Sequence, residues 1–265
     1  MAAFFIIGAV FLIAAIVLFF IQKNQKSRAY NIRVARSATA SELKQMAQSI
    51  AQEIGGGNWR EYVKVSGTIE CDRPLTSELK QETCVYYYMS VAREYEETVT
   101  KTDSEGKSYQ ETERRSETIS SNKQSVPFEL VDSTGNVTVD PEGASVEGVK
   151  VLDEFRQEQA TGGILSFGRF SLAIGSGGQR TLGYRYTETI LPLKRRVFIL
   201  GMANDSTGEL AIRKPIDADK KFIISLKTEE ELLKAADRGA KILFYIMLGC
   251  LAVGLLLILI GLFAG

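Results

Sequence analysis

The chain has 265 residues, with 32 basic and 32 acidic side chains, three cysteines and no histidine. Zero net charge gives a nucleic-acid partner no electrostatic support. The absence of histidine removes Ser-His-Asp and Cys-His chemistry, histidine-containing zinc sites and histidine general bases together. Three cysteines make no disulfide framework, although a Cys71–Cys84 bridge stays open.

Ala2 to Ile21 is uncharged and about one bilayer long. A cleaved signal peptide wants a basic n-region, a shorter apolar core and a small-x-small site. Here the basic residues follow the run, and Phe19-Phe20-Ile21-Gln22 offers no such site, so the run (2–21) reads as a retained transmembrane helix. Lys23, Lys26, Arg28, Arg33 and Arg36 come next, before any acidic residue, in a basic juxtamembrane arm over 22–38. Such an arm fixes topology; on a second reading it also touches anionic lipid headgroups, each residue contributing about 1 kcal/mol.

Thr39 to Ile54 reads as an amphipathic helix. Thr39 and Glu42 match a capping box, Leu43, Met46, Ala47, Ile50 and Ile54 recur at helical spacing, and Gly55-Gly56-Gly57 ends it. From there to Ser225 the pattern is mostly of strands. The expected fold is a mainly β domain over 39–227, barrel-like or sandwich, with this helix attached, between two membrane helices.

Three turns share one chemistry: Asp103 to Gly106, Asp132 to Gly135 and Asp205 to Gly208, with Asp capping each turn and Gly supplying positive φ. The first closes a long hairpin, Thr83–Thr102 with Lys107–Val126, whose polar outer half (98–121) projects into water. The other two, both Asp-Ser-Thr-Gly, sit in longer matching contexts ending at Pro141 and Pro215, and Val63–Gly67 resembles Val197–Gly201. Either two related β-units are present or hairpins have converged on good turn residues. Between them lies an apolar segment broken by glycine (162–180), with Ile164, Leu165, Phe167, Phe170, Leu172 and Ile174. It is too short and too broken to span; it rests on the bilayer or a partner, or it is a loop buried on the β-core.

Thr228 and Glu231 open a capped helix whose Leu232, Leu233 and Ala236 have helical spacing. Ile242 to Gly265 then runs 24 residues without a charge, about 36 Å of helix, which spans with some tilt. Cys250, Gly254, Gly261 and Gly265 fall on one face of this second span, where small residues allow close helix packing. The partner of this face is either the first span of the same chain or the second span of another copy; the first span offers a less regular groove, so the face leans to self-association and a homo-oligomer. Basic residues flank both spans on the domain side, which places the domain in the cytoplasm and both termini opposite.

Constellations for catalysis are weak. Gly175–Gly178 lacks the Lys-Ser/Thr of a phosphate loop. Ser41-Glu-Leu-Lys44 and Ser77-Glu-Leu-Lys80 match a serine–lysine acyl-enzyme spacing without its companion motifs. Glu94, Glu96 and Glu97 lie on a strand whose neighbouring side chains point to opposite faces.

Tyr62–Gly67, Pro74–Ser77, Cys84–Tyr88, Val126–Asp132, Gly135–Pro141, Tyr186–Gly201 and Phe222–Ser225 resemble, in order, the membrane domain of the GIDE-type family. That family includes the mitochondrial ubiquitin ligase activator of NF-κB and chloroplast relatives. The resemblance implies span, β-rich "beside a membrane" domain, span. Members that are E3 ubiquitin ligases carry a RING after the second span, and its two zincs need about eight Cys and His ligands. Three cysteines cannot supply them, so ligase activity does not carry over, and the chain looks like a prokaryotic form of the family. In the organelle proteins this domain lies between two envelope membranes, whereas the charges here put it in the cytoplasm. The expected function is a non-enzymatic, membrane-anchored binding or scaffold module for membrane lipids and an unidentified protein partner, with no cofactor, metal or nucleic acid. The alternative is the non-catalytic membrane half of an E3 ubiquitin ligase-like system, acting in ubiquitin-type transfer or membrane-protein turnover.

Overall fold

The computed structural model describes residues 2–57, 59–103, 106–157, 163–174, 180–206 and 208–263. In chain order the elements are α1 (Ala2–Val34), β1 (Arg36–Ser37), α2 (Ala40–Ile54), β2 (Arg60–Glu70), β3 (Leu75–Thr76), β4 (Thr83–Thr102) and β5 (Ser108–Ser125). Then come β6 (Phe128–Asp132), β7 (Gly135–Val139), β8 (Ser145–Glu147), β9 (Val149–Arg156), β10 (Gly163–Phe167), β11 (Phe170–Ile174) and β12 (Arg180–Pro192). The last are β13 (Arg196–Asn204), β14 (Ala211–Arg213), β15 (Ile223–Ser225) and α3 (Glu229–Phe263).

Five strands close a barrel. The ring runs β2–β6–β7–β14–β13 and returns to β2, antiparallel at every step except the parallel β7–β14 pair. This order and direction are those of the Greek-key OB barrel. Period-two alternation fills it: Val63 and Val65 of β2, Leu130 of β6, Val137 of β7, Ile199 of β13 and Ile212 of β14 are buried in one cluster. Each such aliphatic side chain contributes about 1.5–3 kcal/mol by leaving water. Both Asp-Ser-Thr-Gly turns belong to this one barrel, at the β6–β7 and β13–β14 hairpins. The similar stretches Val63–Gly67 and Val197–Gly201 pair with each other, antiparallel and centred on Val65 and Ile199.

Because β7 and β14 run parallel and each follows its turn, both turns lie at the same barrel mouth. α2 closes that mouth. The Thr39–Glu42 capping box forms as expected, and Leu43 and Ala47 enter the barrel cluster.

The second sheet is an insertion in the barrel. β3, β4 and β5 leave between β2 and β6, while β9 and β12 leave between β7 and β13, giving the order β3–β4–β12–β9 with β5 on β4. The β4–β5 hairpin is as long as expected, paired out to Thr102 and Ser108. Its outer half carries cross-strand ion pairs, Lys101 with Glu111 and Glu113 and Arg115 with Glu97. Residues 104 and 105 of its turn lie outside the described residues.

α1 is unbroken from the apolar run through the basic stretch, and α3 likewise joins its capped start to the second span. Both are long and apolar enough to cross a membrane. The stretch 22–38 is therefore no extended arm. Residues 22–34 and 229–241 form a two-helix stalk, each leg about 20 Å long. Nothing between Ile21 and Val34 breaks a helix, since neither Gly nor Pro occurs there.

Candidate functional site

The stalk is locked to the outside of the barrel. β13 is buried on both faces: Val197 and Ile199 point into the barrel, while Phe198 and Leu200 pack with Ile32, Ala35, Ile223 and Leu232. Polar contacts surround this patch. The Tyr62 hydroxyl lies within hydrogen-bond distance of two acceptors, Lys221 O (2.7 Å) and Asn31 Oδ1 (2.9 Å), and Asn31 Nδ2 donates to Asp219 O (3.2 Å). Burial, partly opposed by that bond to Lys221, pushes the Tyr62 phenol well above its usual range. Lys64 reaches Glu229 at the start of α3 (2.5 Å) and Ile32 O (3.2 Å).

Three of the five basic residues assigned to lipid headgroups are engaged within the chain, Arg28 and Arg36 by the β-domain and Arg33 by the other stalk leg. Arg28 pairs with Glu147, Arg33 with Asp237 (2.7 Å) and Arg36 with Glu61 (2.9 Å). Glu147 also takes Ser225 Oγ (3.0 Å) and Lys227 (3.2 Å). Burial alone would push the Glu147 carboxyl up, but Arg28, Lys227 and Ser225 outweigh it and leave it below the usual range. Lys23 and Lys26, nearest the span, are exposed and have no ion pair among the described residues.

Inside the membrane the small face of α3 is used within the chain. A Cβ on Gly254 would stand 3.1 Å from Gly8 O and 3.2 Å from Leu12 Cδ2, and one on Gly261 would stand 3.3 Å from the Phe5 ring. Of the two partners open to this face, the first span of the same chain is the one seen here: α1 packs against it. Gly8 of α1 gives α3 its close approach, since a Cβ there would meet Ile258 Cγ1 at 2.7 Å and Gly254 O at 3.0 Å. Cys250 is half-buried, and Gly265 lies outside the described residues. Just beyond the membrane, buried Gln22 donates to Ala240 O (3.1 Å) and ties the two legs together.

The apolar segment folds as the β10–β11 hairpin and covers the second sheet. Leu165, Phe167 and Phe170 are buried with Met89, Val91 and Tyr184, with Leu172 half-buried beside them. Phe167 stacks on Tyr186 at 4.6 Å between centroids, under the Arg156 guanidinium at 4.0 Å from Phe167. Its reading as a membrane or partner contact is corrected for these residues, because strand alternation turns them onto the core. Ile164 alone is shown outward, at 77 % exposure; the Ile174 side chain and residues 158–162 and 175–179 lie outside what is described.

The serine–lysine spacings dissolve into structure. Ser77 Oγ donates to Glu188 (2.9 Å), whose buried carboxylate also takes the amides of Leu79 (2.7 Å) and Lys80 (2.8 Å). Ser41 receives Gln45 Nε2 (3.2 Å), and the Lys44 ammonium goes to Asn136 (2.7 Å). All three cysteines are free thiols, so the Cys71–Cys84 bridge does not form here. Burial, backed by the Glu188 charge, pushes the Cys84 thiol up to about 11. Among the described residues no cluster of three His, Cys, Asp or Glu is placed to hold a metal.

Two open clefts flank β2 on the barrel. One, of about 600 Å³, mixes Lys64 and Arg196 with Glu70, Asp132 and Glu229. The other, of about 740 Å³ over β6 and β7, sets Glu70, Asp72 and Glu129 against Arg73.

Sequence reasoning missed Asn31, Tyr62, Glu147 and Glu188, each of which binds elements far apart in the chain. A polar Asn in the helical stretch after a membrane span was the only signal for the first.

A family model described as GIDE, E3 ubiquitin ligase, matches residues 96–259, from the middle of β4 through the second sheet, four barrel strands and most of α3. No curated protein and no solved structure matches the chain. With more than half of its length matched, and with the β-domain set between two apolar helices, the chain belongs to the GIDE family.

Proposed function

We propose that this chain is a non-enzymatic binding module that presents its β-domain to a partner protein at a fixed height above the membrane. The observation that supports this most is the junction: both spans continue as helices and pack onto β13 and β15, with Lys64, Arg28 and Asn31 tying the domain down. A domain needing only attachment would be served by a flexible linker. In the family's E3 setting the chain takes the part of the membrane half, since three cysteines and no histidine cannot ligate the zincs of a RING. The exposed Lys23 and Lys26 contact anionic headgroups. The acidic balance of the cleft over β6 and β7, where OB barrels hold polyanions, argues against nucleic acid. Basic flanks on the domain side of both spans support a cytoplasmic position for it.

A photo-crosslinking residue at exposed Tyr88 or Tyr109, activated in native membranes and followed by mass spectrometry, should yield a discrete protein adduct. No adduct from either position, or ubiquitin transfer by the purified chain with E1 and E2, would count against this reading.

A further inference from the structure

The geometry points to a binding site for a small phosphate-bearing anion, taken from the aqueous side, on the outer barrel face beside the α1 stalk. It goes beyond the partner-binding role above and does not depend on it. The site is a cleft of about 440 Å³ whose floor comes from three adjacent strands. Register sets Arg60 opposite Asn204, Tyr62 opposite Met202, and Met202 opposite Arg213. Their neighbours Val63, Ala203 and Ile212 are buried, so alternation turns the floor residues outward. The Lys214–Lys220 loop is the wall and adds Lys214, Lys220, Asp217 and Ile216.

The lining is rich in donors. Four cations face one carboxylate, and that carboxylate, Asp217, is held by Lys220 (2.8 Å). Arg213 has a long contact to Asp140 (3.8 Å), while Arg60 and Lys214 have no ion pair among the described residues. Asn204 is only 8 % exposed. Its Oδ1 accepts from Ser206 Oγ (2.8 Å) and Arg213 Nη1 (3.1 Å), which fixes the amide and leaves Nδ2 without an acceptor among the described residues. A set of guanidinium, ammonium and amide donors arriving from several sides suits the three oxygens and nearly double charge of a phosphate better than a carboxylate. Met202, Ile216 and the Tyr62 ring offer apolar contact to an organic remainder.

Height decides the source. Tyr62 is bonded to Asn31, ten residues past Ile21, or roughly 15 Å of helix beyond the hydrocarbon edge. The headgroup layer adds only about 5–8 Å on each side. The phosphate of an ordinary glycerophospholipid falls short, and a soluble phosphate ester does not.

The test uses the full chain in phosphatidylcholine discs titrated with inorganic pyrophosphate by calorimetry. Saturable binding is expected, about tenfold weaker or worse in the double variant Arg60→Gln/Lys214→Gln and retained in Arg60→Lys. Both positions are exposed, and an unchanged denaturation midpoint will show that the double variant folds. Absence of saturable binding, or equal binding by the double variant, overturns the site. Loss of pyrophosphate binding in phosphatidylglycerol discs would assign the cleft to lipid headgroups and overturn the aqueous source.

Discussion

Asp132 and Asp205, the first residues of two identical Asp-Ser-Thr-Gly turns, hold opposite ends of the same helix. Asp132 Oδ1 caps its own turn at Thr134 N (2.7 Å) and Gly135 N (3.1 Å), while Oδ2 takes the amide of Ala40, the first residue of α2 (2.8 Å). Asp205 Oδ2 takes the amide of Gly57 (2.8 Å) and Oδ1 that of Trp59 (3.0 Å), just past the C-terminal end of α2. One turn chemistry, used twice at one barrel mouth, seats the helix that closes it. Asp132→Ala and Asp205→Ala should each destabilise the domain by about 1–3 kcal/mol, because each strands backbone donors. Denaturation of the full chain in detergent measures this. Both act on α2, so the double variant should depart from additivity; strict additivity would separate the two roles.

Acid should loosen the same features. For Asp132, burial raises the carboxyl's pKa, but the Thr134 hydroxyl and the Ala40, Thr134 and Gly135 amides outweigh it, leaving it below the usual range. Glu147 is lowered in the same way by its cations. A folded pKa below the unfolded value of about 4 means stability that is fully present above pH 4 and lost as pH falls through the folded pKa. Denaturation midpoints should hold from pH 7 to about 5 and fall below that. In Asp132→Asn and Glu147→Gln variants the fall should be shallower; an unchanged acid limb would rule these groups out.

Much of this was legible in sequence because the signals were local. Both capping boxes, Thr39 with Glu42 and Thr228 with Glu231, close as their spacing implies. The long hairpin, the Asp turns and the two spans also lie where their residues put them. What was hidden depends on partners distant in the chain. Asp132 reads as a turn cap, but its bond to Ala40 needs the barrel closed first. Glu188 looks like one more strand carboxylate until the Ser77–Lys80 loop folds over it. The β10–β11 stretch gave equal support to surface and core, since glycine hides strand alternation. Reading residues 22–34 apart from the apolar run made an arm of what is one continuous helix with it.

Widening the helix crossing should separate the spans within one molecule. A Cβ on Gly8 would come within 2.7 Å of Ile258 Cγ1 and 3.0 Å of Gly254 O, so Gly8→Leu or Gly254→Leu forces α1 and α3 apart. Both variants should lower the thermal midpoint in detergent and reduce cross-linking between cysteines placed on facing sides of α1 and α3. The ratio of monomer to oligomer should not move, because any self-association has to use another surface. A shift of that ratio without loss of intrachain cross-linking would return the face to contacts between copies.

The last prediction concerns sidedness, and the hairpin supplies its probe. Tyr109 stands on β5 near the tip and is 48 % exposed, so a cysteine there is open to reagents and disturbs no core contact. Ser104, at the turn itself, lies outside the described residues. Of the native thiols, Cys84 is buried and held protonated up to about 11, which leaves little thiolate at pH 7.5. Cys71 is partly exposed and is replaced by serine, and Cys250 sits within the second span. The basic residues of both stalk legs, Lys23, Lys26, Arg238 and Lys241, lie on the domain side of their spans. Positive flanks are retained on the cytoplasmic side, and two spans retained in agreement reinforce each other. A Tyr109→Cys, Cys71→Ser chain should therefore resist an impermeant maleimide in intact cells and label fully after lysis. Labelling before lysis would put the β-domain, and any partner it meets, on the far side of the membrane.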